Sequence, residues 1–182
     1  MSGYVALLRA VNLGEGTRVS AAKLRGAGRA TGFREVSTVG ASGTLVLRGP
    51  SLPVERIERE LLAALRRAGG PSTECFVRTG AEWAEVVRDN PFPAEARADP
   101  AHLTLNVLRS RPSPAAWASL RERVTGRERI SEDGRHAYIV YPDGIGRSRL
   151  TLALIERTLG TRSTARNWNT VLRLHELLRP KP

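Results

Sequence analysis

Between Tyr141 and Thr170 the chain concentrates side chains that recognise anions: Gly144, Gly146, Arg147, Ser148 and Arg149 first, then Arg166, Asn167 and Asn169 after an apolar stretch. Ser148 reads as the N-cap of a helix running to Leu159, which sets its first-turn amides beside Arg147 and Arg149. Unpaired N–H groups, the positive end of a helix dipole and two guanidiniums make a place for phosphate or carboxylate. Arg166, Asn167 and Asn169 surround Trp168, so donors with bidentate geometry stand next to a stacking plane suited to a nucleobase. Arg9 and Asn12 at the end of the first strand, and Ser42 and Gly43 in a hairpin, complete the candidate ligand-binding set.

Each of these residues also has a plainer reading. The glycine turn has neither P-loop nor dinucleotide-binding spacing and also reads as a tight turn with a helix cap. Asn169 or Thr170 alone reads as a cap, Trp168 as core, and Arg9 as half of an ion pair with a carboxylate such as Asp143 or Glu156. Ser42 and Ser148 are formal nucleophiles and Asp143 a formal acid or base, but no histidine stands in the same motif, so no catalytic residue is assigned.

The elements that must position these groups follow from periodicity. Tyr4 to Val11 is an apolar run of strand length, and Ser20 caps a helix to about Ala30. Glu35 to Val39 and Thr44 to Arg48 read as strands joined through Gly40-Ala-Ser-Gly43. Pro53 opens a helix closed by Gly69-Gly70, a strand from Glu74 to Arg78 follows, and a helix spans about Ala81 to Arg88. Three prolines between Asn90 and Pro100 mark a boundary, placed to give subdomains 1–93 and 94–182. The order then restarts. His102 to Arg109 is a strand, Pro114 opens a helix, Arg127 to Ser131 and His136 to Tyr141 form a hairpin, and Ser148 to Leu159 is a helix. A short strand from Thr161 to Ala165 precedes a last helix from about Thr170 that ends at Pro180.

Strand, helix, strand, strand, helix, strand is the split βαβ layout. The expected fold class is α+β: two ferredoxin-like subdomains in tandem, antiparallel sheets with helices on one face. That topology brings the exit of the first strand and the first hairpin to one end of the first sheet. It brings Gly144–Ser148 and Arg166–Asn169 to one end of the second.

Composition narrows the function. Among 182 residues, 41% are hydrophobic and 26% charged, the balance of a globular protein that buries a core. No apolar run spans a bilayer and the opening residues lack a signal-peptide layout, so the expectation is a cytoplasmic protein without membrane contact. Cys75 is the single cysteine and reads as a small buried hydrophobe. His102, His136 and His175 have no ligand spacing, so neither metal nor cofactor is expected. A net charge of +11 and a pI near 11.3 attract polyanions, although an arginine-rich, Ala/Gly/Pro-rich composition also reflects a GC-rich coding bias. RNA recognition motifs carry aromatics on their central strands; here Thr44–Arg48 and Leu103–Leu108 have none, which confines any nucleic acid to loops and edges.

The chain resembles a family catalogued as domain of unknown function 1697, whose structural example is a streptococcal protein with two ferredoxin-like subdomains. The resemblance rests on Tyr4-Val-Ala-Leu-Leu-Arg-Ala-Val-Asn12, Ser42-Gly43, Asn90-Pro-Phe-Pro93, Tyr141-Pro-Asp-Gly-Ile-Gly-Arg-Ser148 and Ala165-Arg-Asn-Trp-Asn-Thr-Val171. It implies the fold and a ligand surface, with no established activity. Ala41-Ser42-Gly43-Thr44 departs from the Gln-Ser-Gly-Asn usual in the family. Arg149 stands where a lysine is usual and Gly14-Glu15 where two glycines are; an arginine keeps the charge but cannot act as a base. The functional expectation is a phosphate-bearing ligand, nucleic acid or a nucleotide, held in a cleft between the subdomains lined by Arg9, Arg147 and Arg166. The alternatives are an enzyme for a small phosphorylated or nucleotide substrate, and a protein-interaction module. Oligomeric state is left open.

Overall fold

The computed structural model describes residues 2–14 and 16–179. Two compact units emerge, one holding the residues up to Val87 together with those from Arg173 onward, the other Arg88–Leu172.

In the first unit, β1 (Ser2–Leu8), β2 (Glu35–Val39), β3 (Thr44–Gly49) and β4 (Cys75–Thr79) form an antiparallel sheet in the order β2-β3-β1-β4. Strand side chains alternate, so Tyr4, Ala6, Leu8, Leu45, Leu47, Cys75 and Val77 share a face. They meet Leu24 and Ala27 of α1 (Ala21–Ala30) and Ile57, Leu61 and Leu65 of α2 (Val54–Arg67) in one core. Val5 and Leu7 of the opposite face are buried as well, which is why β1 reads as a continuous apolar run. Ser20 caps α1 by accepting from the Lys23 amide, as expected. β1 stops at Leu8, earlier than its apolar run, because Ala10 and Asn12 take positive φ and turn the chain away. A third helix, α3 (Gly80–Arg88), follows β4 without a loop.

The second unit repeats the order. It opens with α4 (Pro93–Ala98), then β5 (Leu103–Leu108), α5 (Pro114–Glu122), β6 (Arg129–Asp133), β7 (His136–Val140), a 3-10 turn over Ile145–Arg147, α6 (Leu152–Leu159), β8 (Ser163–Asn167) and α7 (Trp168–Leu178). Its antiparallel sheet runs β6-β7-β5-β8, the same order as the first, over a core of Leu108, Trp117, Leu120, Ile139, Leu150, Ile155 and Leu159. Both sheets have the ferredoxin-like order, so the α+β class and the tandem split βαβ architecture hold.

Several boundaries differ from those the sequence suggests. The segment around residue 93 groups with the second unit, because Arg129 of β6 stacks over the Phe92 ring at 5.2 Å and pairs with Glu95 of α4. The division therefore falls after Val87, and α4 occupies what reads as a proline-rich linker. α6 begins at Leu152 instead of Ser148, and α7 at Trp168, two residues before Thr170. Pro180, expected to end α7, lies outside the described residues.

Candidate functional site

The connection from β7 to α6 is built outward from a buried tyrosine. Tyr141 is almost fully buried, its amide donates to the His102 carbonyl at 2.8 Å and its hydroxyl donates to the Leu150 carbonyl at 3.3 Å. Leu150 is buried too, so both ends of the excursion are pinned to the core. Between them Gly144 takes φ 85, and single helical turns close from the Arg147 amide to Gly144 O and from the Ser148 amide to Ile145 O. Ser148 Oγ accepts from the Leu150 amide at 3.0 Å, and Thr151 accepts from the Leu154 amide to cap α6. The cap expected at Ser148 is thus Thr151. Leu150 must reach the core before the helix can start, so Arg147 and Arg149 stand on the turn and not in the first turn of α6.

The corresponding connection in the first unit, from β3 to α2, needs only residues 50–53 where this one takes 141–151. The extra chain walls a cavity of about 250 Å³ against the loop at Thr125, Gly126 and Glu128. Glu128, Asp143, Arg147, Ser148 and Arg149 supply its charged and hydroxyl groups. Asp143 is committed to Arg127, whose Nε donates to Oδ2 at 3.1 Å while Nη2 bonds Oδ1. That pairing holds the Asp143 carboxyl below the usual carboxylate range against the opposing effect of desolvation, with the Arg147 charge adding to it, and raises Arg127 in turn. Arg147 and Arg149 are exposed, and neither side chain has a hydrogen bond or ion pair among the described residues. Ser148 donates to Glu128 Oε1, while Glu128 Oε2 is buried with no partner among the described residues. Burial, with Glu128's charge adding, pushes the Tyr141 phenol up and keeps it neutral.

Glu128 and His102 were not among the sequence candidates. His102 Nδ1 pairs with Asp99 at 2.5 Å, and its Nε2 lies 3.5 Å from where a Cβ on Gly144 would stand. A histidine therefore does accompany the turn. Leu103 lies opposite Val140 in the sheet, and that register carries His102 to Tyr141.

The remaining candidates separate into two groups. Arg166, Asn167 and Asn169 reach the expected end of the second sheet, where Thr104 faces Asn167. Arg166 is only 7% exposed, its Nη1 donating to Thr164 Oγ1 at 2.9 Å and Ala165 O at 2.7 Å, which makes it a buried sheet residue. Asn167 Oδ1 accepts from the amide and the hydroxyl of Thr170, both at 3.0 Å. The cap of α7 is thus Asn167, not Asn169 or Thr170; Asn169 is exposed on the helix. Trp168 is buried against the Tyr138 ring with centroids 6.1 Å apart, so its indole is core and offers no stacking plane.

Arg9, Asn12, Ser42 and Gly43 meet at one end of the first sheet, where the Leu8 amide donates to Gly43 O at 2.8 Å. Asn12 spends its amide group on the fold: Nδ2 donates to Ala41 O at 2.5 Å and to Val19 O at 3.2 Å, and Oδ1 accepts from the Val19 amide at 2.8 Å. Ser42 shares a hydrogen bond with Thr44 at 3.1 Å, and Arg9 is half-buried at the exit of β1. Asp143, one of the carboxylates expected to pair with Arg9, holds Arg127 instead. Gly146 is exposed at the tip of its turn. Among the described residues no cluster of three or more His, Cys, Asp or Glu side chains could hold a metal, and no helix is long and apolar enough to cross a membrane.

The family described as protein of unknown function DUF1697 matches residues 1–138. The chain belongs to this family. A conserved bacterial protein of Streptococcus pneumoniae, SP0830, shares the fold at a TM-score of 0.74 over 98% of this chain and 99% of that one, with 15% identity. No curated protein matches the sequence. The family match stops before the turn that builds the cavity, and the structural likeness carries the fold alone.

Proposed function

We propose that this protein binds a phosphate-bearing ligand, a nucleic acid strand or a nucleotide, at the cavity of its second unit, in the cytoplasm where such ligands reside. The observation that carries this reading is the pair of exposed guanidiniums, Arg147 and Arg149, without ion-pair partners among the described residues on the rim of a cavity. Arginine matches phosphate oxygens with a rigid fork of donors, and Asp143, one of the two carboxylates lining the cavity, is occupied by Arg127. The net charge of +11 supplies long-range attraction for a polyanion. The proposed site lies within the second unit and does not draw on Arg166, which is buried.

Fluorescence anisotropy with a labelled single strand and with a nucleotide, over a series of salt concentrations, tests it. Two phosphates neutralised by Arg147 and Arg149 give a slope of about −1.4 in log affinity against log salt for a single strand. Replacing both arginines by alanine removes that slope. Binding that is absent at low salt, or unchanged in the double variant, overturns the proposal.

A second reading is favoured by the hydrogen bond from Ser148 to Glu128 and by the Asp99–His102 pair beside Gly144. These are the parts of an enzyme acting on a small phosphorylated substrate, with a hydroxyl and proton acceptors at the anion site. A turnover screen against nucleotides, repeated on Ser148→Ala and His102→Ala, separates it from binding alone; absence of turnover, or equal turnover in both variants, removes it.

A further inference from the structure

Glu128 carries a carboxylate oxygen that the fold leaves without a donor. Oε1 receives the Ser148 hydroxyl, whereas Oε2 is buried and has no hydrogen-bond partner among the described residues. Leaving a charged acceptor buried and unpaired is costly, and native proteins keep such a group where an ordered water, a bound molecule or a function supplies the donor. Glu128 belongs to the wall of the cavity that Arg147 and Arg149 rim. Gly126 allows the close cover, because a Cβ there would stand 2.5 Å from Oε2. The terminal torsion of glutamate is soft, so the carboxylate can turn one oxygen into the cavity while the rotatable Ser148 hydroxyl keeps the other.

A bare phosphate in this cavity would meet Glu128 as a like charge. A hydroxyl interposed between phosphate and carboxylate removes the conflict, donating to Glu128 while the guanidiniums hold the phosphate. The ammonium of an amine would also satisfy the carboxylate, but Arg147 and Arg149, the two cavity guanidiniums without ion-pair partners among the described residues, disfavour a cation. At about 250 Å³ the cavity falls just below the roughly 300–1,000 Å³ of pockets for drug-sized ligands, room for one sugar phosphate with its base outside. Resting on the phosphate-binding reading above, we infer that the ligand is a ribose phosphate unit, from a free ribonucleotide or the end of an RNA strand, and that Glu128 accepts one of its hydroxyls.

Calorimetric titration of the full chain with methyl phosphate, ribose 5-phosphate and phosphoethanolamine tests this, in the wild type, Glu128→Ala and Glu128→Gln. One hydrogen bond to a charged acceptor makes ribose 5-phosphate about ten-fold tighter than methyl phosphate in the wild type. The ratio falls to about one in Glu128→Ala and falls in Glu128→Gln, whose neutral amide is the weaker acceptor; the second variant reports should the first fail to fold. Equal affinity for the two phosphates in the wild type, a ratio unchanged in either variant, or tighter binding of phosphoethanolamine overturns the hydroxyl assignment while leaving phosphate binding intact. No binding of any of the three overturns both together.

Discussion

Gly43 is fixed by two independent constraints. Its φ is +67, and a Cβ there would stand 2.3 Å from Val11 Cγ2 and 2.9 Å from Leu8 Cβ. Adding the strain of a left-handed residue to that of an overpacked neighbour, Gly43→Ala costs roughly 2–4 kcal/mol, read as a lowered denaturation midpoint with an unchanged slope. A midpoint within error of the wild type would refute this packing role. Asp143 answers to pH instead. Arg127 depresses its carboxyl in the folded chain, so the pair contributes above the ordinary aspartate value of about 4 and is lost as pH falls through the lowered native value. Both groups are exposed, so the readout is the titration midpoint of Asp143, which returns to the ordinary range in Arg127→Ala; an unmoved midpoint disproves the pairing. The sequence already pointed to Gly43 and to the buried Cys75. Glu128 and His102 carry no local signal, because strand register and loop packing bring them to the turn from distant positions.

At the scale of elements, each unit ends its sheet by running a strand directly into a helix. In the first, Thr79 and Glu82 cap α3 reciprocally: the Glu82 amide donates to Thr79 Oγ1 at 3.1 Å and Glu82 Oε2 accepts the Thr79 amide at 2.8 Å. In the second, Asn167 Oδ1 accepts the Thr170 amide at 3.0 Å and caps α7. Asn167→Ala costs about 1 kcal/mol of stability and leaves ligand affinity unchanged, whereas a ligand-binding Asn167 shows the reverse, so one thermal melt and one titration distinguish the two. The order of strands and helices was legible because periods of two and of about 3.6 alternate cleanly along the chain. The start of α6 was not, since Ser148 and Thr151 are equally good caps and only the burial of Leu150 selects the second. α4 was missed because its brevity and flanking prolines read as a linker until Arg129 stacks on Phe92 and pairs with Glu95.

For the whole molecule, the repeat visible in the sequence does not divide the chain into two contiguous halves. Residues from Arg173 onward group with the first unit. Arg48 of β3 donates from Nη2 to the Leu177 carbonyl at 2.8 Å and from Nε to the same oxygen at 3.3 Å, closing the C-terminal end of α7. Leu178 lies against Gly3, where a Cβ would be 3.0 Å from its Cδ2, so the glycine leaves room for the leucine. Deleting the chain after Leu172 removes the buried Leu174, the half-buried Leu177 and Leu178 and both acceptors of Arg48. One buried leucine is worth about 1.5–3 kcal/mol and a charged hydrogen bond about as much, so roughly 3–6 kcal/mol is lost from a stability of only about 5–15. The loss falls on the first unit. Hydrogen exchange of the amides in β1 and β3 accelerates at least a hundred-fold in the truncated chain, while β5 and β7 keep more of their protection. Equal acceleration in both sheets means that the end of α7 supports the two units alike, and unchanged exchange in β1 means that the first sheet is stable without it.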